Sequence, residues 1–332
     1  MFRKKPSPAY RRIIIKIGTS TLTGGTTGLN PRHMLAIVQQ AARLHEDGHE
    51  VVLVSSGAMA AGRDALGRPD LGRHLPAKQM LSAVGQPRLM NIYTDLFGIF
   101  SIPVAQVLLT GRDFRNRQSY LNARDTLEVL LAHRVIPIIN ENDTVSTVEI
   151  RLGDNDNLSA FVANLIDADL LVLLTDQPGL YTDDPRSNPD AELIRQVEAI
   201  DEALLESAGG AGSALGTGGM VTKLQAARLA TRSGTTVVIA QGSRPDVLVD
   251  LAGPDGREIG TWFQPVETQL ESRKRWLLSE EVQGTVHVDA GAAKILRRGR
   301  ASLLPVGVVS VEGDFERGVV VSVCGPDGVE LA

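Results

Sequence analysis

The sequence predicts an α/β protein, with a mainly parallel sheet sandwiched between helices and a small, mostly-β domain at the C-terminus. Three observations carry this. From Arg12 to about residue 263, short runs of Ile, Val and Leu alternate with stretches of helical apolar spacing. Near 260–269 the alternation stops, and the later β-branched runs are separated by Gly-rich turns. Aromatic residues are scarce, at 4%, against 33 glycines, which suits an aliphatic core joined by tight turns. Short apolar strands alternating with longer helices imply right-handed βαβ crossovers, and strands covered on both faces read as continuous apolar runs.

Taken in order, residues 13–17 read as a buried strand and 18–28 as a Gly/Thr loop. Pro31 suits the first turn of a helix running to about His45, and Gly48 stops it. A second strand at 51–54 leads through Ser55-Ser56-Gly57-Ala58 directly into another helical pattern. Residues 78–100 have helical spacing. Strands follow at 103–108, 135–139, 170–174 and 237–240, with helices at 119–133 and from 158 onward. In the C-terminal part, 282–288, 306–311 and 319–323 read as strands around a short helix at 290–296. The expected organisation is a basic tail at 1–11, the α/β domain at 12–264, a linker at 265–275 and the small domain at 276–332.

Composition narrows the function classes. A net charge of −5 argues against bulk affinity for nucleic acid or a membrane surface. Cys324 is the single cysteine, so an internal disulfide and a Cys-based zinc site are both excluded. The six histidines show no metal-ligand spacing. Lys16 interrupts the apolar run after the basic start, so no signal h-region forms. No apolar stretch reaches membrane-spanning length, and a cytoplasmic location is expected.

Five stretches carry chemistry. Lys16 closes a buried strand beside Gly18-Thr19-Ser20, which sets an ammonium next to free backbone N–H groups and suits phosphate oxygens. A lysine there can also simply snorkel. Ser55-Ser56-Gly57-Ala58, at a strand-to-helix junction, lets an anion approach the backbone, although a plain serine N-cap reads equally well. Gly216 to Lys223 is a Gly-rich loop delivering a lysine into the first helical turn. It is neither a Walker A loop nor GxGxxG. A lysine at a helix N-terminus is disfavoured unless an anion compensates, which points to phosphate. Thr175-Asp176 opens a long Pro/Gly/Asp-rich loop that fits a nucleotide, or is only a loop.

The fifth stretch, 137–160, holds two polar clusters, Asn140-Glu141-Asn142-Asp143 and Asp154-Asn155-Asp156-Asn157. An EF-hand reading fails, because Ser159 stands where the turn glycine belongs and Leu165 where the bidentate glutamate belongs. Mixed acids and amides offer donors and acceptors together, which suits a zwitterion better than a bare metal ion. Helix capping by Asp154 or Asn155 alone does not account for so many polar groups.

Together the segments IIIKIGTSTLTGG, VVLVSSGAMAAGRDALG, INENDTVSTVEIRLGDNDNLSA, LLTDQPGLYTDDPRSNPDAELI and GTGGMVTKLQAA resemble the amino-acid kinase family, and within it the branch that phosphorylates glutamate. They span Ile13 to about Phe263. The resemblance implies the amino-acid kinase fold and transfer of phosphate from ATP to the γ-carboxylate of L-glutamate, the first step of proline synthesis. It implies Lys16, Lys223 and Asp156 as catalytic residues, the lysines clasping the phosphoryl and Asp156 orienting them. Ser56, Asp143 and Asn155 would hold glutamate, with Asp154 and Asn140 nearby. Lys16, Thr175, Asp176, Thr217, Gly218, Gly219, Met220, Val221, Thr222 and Lys223 would line the ATP site. Magnesium would enter with the nucleotide rather than on a protein cluster. A homo-oligomer (dimer or tetramer) and feedback inhibition by proline are further expectations.

The C-terminal part resembles a PUA domain that is shortened, since family members continue for a few tens of residues. Two other readings stand beside this one. A sister kinase would act on aspartate, acetylglutamate or another acid. An RNA-binding protein would use Arg273, Lys274, Arg275, Lys294, Arg297, Arg298 and Arg300, but such runs are more often solvated surface, so no RNA partner is expected.

Overall fold

A computed structural model describes residues 9–68, 70–71, 74–146, 155–210, 219–266, 282–298, 302–315 and 317–331. Its main sheet has eight strands: β1 (Arg12–Ile17), β2 (Glu50–Ser55), β3 (Val104–Leu109), β4 (Ile136–Glu141), β5 (Leu170–Thr175), β6 (Gln196–Val197), β7 (Thr236–Gln241) and β8 (Thr261–Phe263). Their order is β3-β4-β2-β1-β5-β7-β8-β6. Every pairing is parallel except β7 with β8. β1 lies at the centre, between β2 and β5, where the chain first winds to one side and later to the other. In a parallel sheet, that reversal opens a crevice beyond the strand C-termini.

Alternation along the strands sorts the side chains into two layers. Ile13, Ile15 and Ile17 of β1 pack with α2 (Pro31–Glu46), with Leu89, Tyr93 and Phe97 of α4 (Leu75–Gly98), and with α10 (Val247–Ala252). Ile14 faces the other way, onto Leu127 and Leu131 of α6 (Arg117–Ala132), onto α7 (Asn155–Leu165) and onto α9 (Met220–Arg232). Each such fully buried aliphatic side chain stabilises by roughly 1.5–3 kcal/mol. By the same alternation Lys16 falls on the α7–α9 side.

Helix α3 (Ala58–Ala65) crosses α4 at the distance of backbone contact. A Cβ built on Gly85 would lie 1.8 Å from the Ala58 carbonyl oxygen, and one on Gly62 would lie 1.9 Å from that of Leu81. Only glycine fits at either place. This crossing fixes the Ser56–Gly57 turn, at the N-terminus of α3, relative to α4.

Two differences from the expected elements have physical causes. Part of the 18–28 loop is a short helix, α1 (Thr19–Thr23), closed by Gly24 in the left-handed region at φ 58°. Thr, Ser and Gly are weak helix formers, so tertiary packing of the buried Thr21, Leu22 and Thr23 holds it. Strand β4 runs two residues past Ile139, so Asn140 and Glu141 are ladder residues rather than loop.

The C-terminal part forms a separate three-stranded sheet, β10-β9-β11, from β9 (Val282–Val288), β10 (Val308–Glu312) and β11 (Val320–Cys324). The helix Ala290–Leu296 starts at Asp289, whose carboxylate accepts from the Ala292 N–H at 2.7 Å. Arg117 on α6 donates to the Gly318 carbonyl at 2.7 Å, and Arg317 pairs with Asp125, joining this sheet to the large one. The expected linker at 265–275 lies outside the described residues apart from 265 and 266. Among the described residues, no helix is long and apolar enough to cross a membrane.

Candidate active site

The C-terminal ends of β1, β2, β4 and β5 converge, and each delivers polar groups to one region. At its centre is Asp156, in the first turn of α7 and 0% exposed. Lys16 Nζ pairs with Asp156 Oδ1, and Lys223 Nζ lies 3.2 Å from Asp156 Oδ2. The Thr222 hydroxyl donates to the same Oδ2 at 2.9 Å. Burial opposes ionisation of Asp156, but the two ammonium groups outweigh it and hold its carboxyl below the usual carboxylate range. Both lysines are themselves buried. A carboxylate between two ammonium groups leaves one net positive charge on the triad, in a place where water screens little. That is a seat for an anion.

Backbone geometry explains why the lysines reach this point. Lys16 pairs in register with Val54 and Leu173 in the middle of the sheet, so its stem runs through apolar surroundings to the crevice. Lys223 is the fourth residue of α9, whose first turn follows Gly219. Gly219, Met220, Val221, Thr222 and Lys223 thus bring backbone N–H groups and an ammonium together. Gly18, just past β1, sits close to the Lys16 ammonium, since a Cβ there would lie 3.8 Å from Nζ. Thr175 ends β5, and its hydroxyl donates to Asp176 at 3.0 Å. Gln241 of β7 reaches the Asp176 carbonyl at 3.4 Å.

A second group lies beside the triad. Asn155 Nδ2 donates to Ser56 Oγ and to Asn140 Oδ1, each at 2.9 Å. Asp143 is held by the Ser82 hydroxyl at 2.9 Å, on the wall of a cleft of ≈ 240 Å³ lined also by Gln86, Gln106, Glu141 and Asn142. The structure therefore brings Lys16, Asp156, Thr222 and Lys223 into one cluster, and Ser56, Asn140 and Asn155 into an adjoining one. Asp143, just past β4, lines the cleft and is tied to α4 through Ser82. Asp154, Thr217 and Gly218 lie outside the described residues.

Several groups here escape a sequence reading. Glu141 is buried in the cleft wall and accepts from Ser146 Oγ at 2.6 Å. Ser82, Gln86 and Tyr93 come from α4, far away in sequence. A signal for them exists: positions 82, 86 and 93 fall on one face of a 3.6-residue helix. Among the described residues, no group of three or more His, Cys, Asp or Glu could hold a metal ion.

Comparison with known proteins agrees with this geometry. Residues 11–241 match the model of the amino acid kinase family, and residues 284–332 match that of the PUA domain. The chain is 56% identical to a glutamate 5-kinase of Herpetosiphon aurantiacus, covering 97% of this chain and 87% of the relative. It is 54% identical to that of Sodalis glossinidius (96% and 87%) and 53% to that of Deinococcus radiodurans (96% and 88%). Among solved structures, carbamate kinase from Giardia lamblia bound to AMP-PNP shares the fold at TM-score 0.56 and 17% identity, covering 77% of this chain and 99% of that one. UMP kinase from Bacillus anthracis does so at 0.54 and 15%, covering 78% and 97%. A crevice holding a buried Lys-Asp-Lys triad, on a sheet of this order, and relatives this similar over nearly the whole chain lead to one conclusion: the chain belongs to the amino-acid kinase family, among the glutamate 5-kinases.

Proposed function

We propose that this chain transfers the γ-phosphoryl group of ATP to the γ-carboxylate of L-glutamate, giving γ-glutamyl phosphate and ADP, the first step of proline synthesis. The observation that carries the proposal is the buried Asp156 between Lys16 and Lys223, beside a cluster of amides and a cleft with carboxylates. A glutamate γ-carboxylate is already ionised at neutral pH and needs no general base. Its oxygen attacks the γ-phosphorus, the bond from phosphorus to the bridging oxygen of ADP breaks, and ADP leaves with that electron pair. Little covalent help is required, so alignment and charge neutralisation supply the rate. Lys16 and Lys223 neutralise charge on the phosphoryl oxygens from two sides, and Asp156 keeps their ammonium groups apart and aimed.

Ser56, Asn155 and Asn140 hold the amino acid at the reacting end, and Asp143 pairs with its α-ammonium. Thr175, Asp176 and the first turn of α9 line the nucleotide. Magnesium would enter with ATP and offset phosphate charge; Lys16 and Lys223 are donors that cannot ligate it, and Asp156 is already engaged by both. A cytoplasmic homo-oligomer inhibited by proline completes the reading.

The test is ATP-dependent formation of acyl phosphate, trapped as the hydroxamate with hydroxylamine, across a panel of acids. Hydroxamate from glutamate, and far less from aspartate or acetylglutamate, is expected. Preference for another acid would overturn the substrate assignment.

A further inference from the structure

Two hydrogen-bond chains run from Gln86 and Tyr93 of α4, which none of these roles uses, to Ser56, and fixed groups set the direction of each. The first is anchored by a backbone amide. The Glu141 N–H donates to Asn140 Oδ1 at 2.9 Å, so that atom is the acceptor and the Asn140 amide has one orientation. Its Nδ2 then donates to Gln86 Oε1 at 2.9 Å. Asn140 Oδ1 accepts as well from Asn155 Nδ2, whose second hydrogen goes to Ser56 Oγ. Both amide hydrogens of Asn155 are committed, and Ser56 Oγ is the acceptor.

The second chain ends on the same residue. Ser55 Oγ donates its single proton to the Ser56 carbonyl at 2.9 Å. It therefore accepts from the Tyr93 hydroxyl, 2.8 Å away. Ser55 and Tyr93 are wholly buried, and Gln86 is nearly so. Gln86 and Tyr93 stand two turns apart on one face of α4.

We infer that Gln86 and Tyr93 are positioning residues that clamp Ser56 through these two chains and leave its hydroxyl proton as a donor to a carboxylate oxygen of the amino-acid substrate. The inference rests on the placement of glutamate at Ser56. A serine hydroxyl is a rotor with one proton. The Asn155 N–H takes one lone pair of that oxygen and turns the proton away from its side, and the anchor on the carbonyl holds the backbone, so binding has less left to order. Donor and acceptor then stand side by side: the Ser56 proton for an anion, and Asn155 Oδ1 for a cation or N–H.

The experiment compares Tyr93→Phe, Gln86→Met and Ser56→Ala, singly and in pairs, in the full chain. Each of the first two deletes a polar end with little change of shape. The glutamate kcat/KM is expected to fall about three- to tenfold in each, as for one buried hydrogen bond, with the ATP KM unchanged. In the Ser56→Ala background Tyr93→Phe should have almost no further effect, because its target is gone, whereas Gln86→Met should keep only the part it exerts through Asn140 and Asn155. The full effect of Tyr93→Phe persisting in that background, or unchanged glutamate kinetics in both Tyr93→Phe and Gln86→Met, would overturn the clamp. Unchanged glutamate kinetics in Ser56→Ala alone would instead overturn the substrate placement beneath it.

Discussion

Replacing Lys223 with methionine keeps most of the buried stem and removes the charge. At 3.2 Å from Asp156 Oδ2, that ammonium attracts the carboxylate by about 5 kcal/mol at an effective dielectric of ~20, before the cost of taking both ions out of water. Asp156 keeps Lys16 and the Thr222 hydroxyl in the variant, so it is not stranded. Stability should therefore fall by about 1–3 kcal/mol, and the fold should survive. Catalysis should suffer far more. Charge develops on the transferring phosphoryl in a site that excludes water, and loss of one such donor costs on the order of 10²–10³ in kcat. A coupled ADP-release assay separates kcat from the two KM values, and a thermal melt controls for folding. Equal falls in kcat and kcat/KM, with a cooperative melt, are expected. A folded variant with kcat within about twofold of the parent would refute the phosphoryl clasp.

Asp143→Ala should raise the glutamate KM and leave that of ATP unchanged; an effect confined to ATP would remove Asp143 from the amino-acid site. Gly85→Ala drives a Cβ to 1.8 Å from the Ala58 carbonyl, where backbone cannot yield. It should cost about 3 kcal/mol or more, seen as a large drop in melting temperature; a parental melt would contradict the α3–α4 crossing. Asp156 has its folded-state pKa depressed, so its ionic contribution is complete above the unfolded value of ~4 and is lost as pH falls through the folded one. The stability gap between the parent and Asp156→Asn, measured by urea unfolding, should be flat from pH 5 to 8 and narrow only in acid. Narrowing near neutrality would contradict it.

Much of the scaffold was legible because local pattern and tertiary role agree. The run IIIKI is apolar enough to be a central strand, and of the two fates its one charge allowed, snorkelling or pairing, Lys16 takes the pairing with Asp156. The two polar clusters likewise marked a ligand site, since capping could not employ so many acids and amides. What the pattern hid depends on contacts distant in sequence. Helix α4 scatters polar residues such as Lys78, Gln79, Arg88 and Asp95 among its apolar ones, so Ser82, Gln86 and Tyr93 look incidental until β2 and β4 are laid against them. Glu141 reads as one more acid of the cluster, because only the extra length of β4 buries it in the cleft wall. Helix α1 is invisible to propensity, since its Thr and Ser residues are helical only by virtue of what covers them.

The central claim is that one buried carboxylate aims two lysines at a phosphoryl group bound for glutamate. The most direct measurement is hydroxylamine-trapped acyl phosphate from ATP and glutamate, made in parallel with the parent, Asp156→Asn and Lys223→Met. The parent should yield γ-glutamyl hydroxamate, and each variant less by a factor of about 100 or more while remaining folded. Parental yields from both folded variants would contradict the claim.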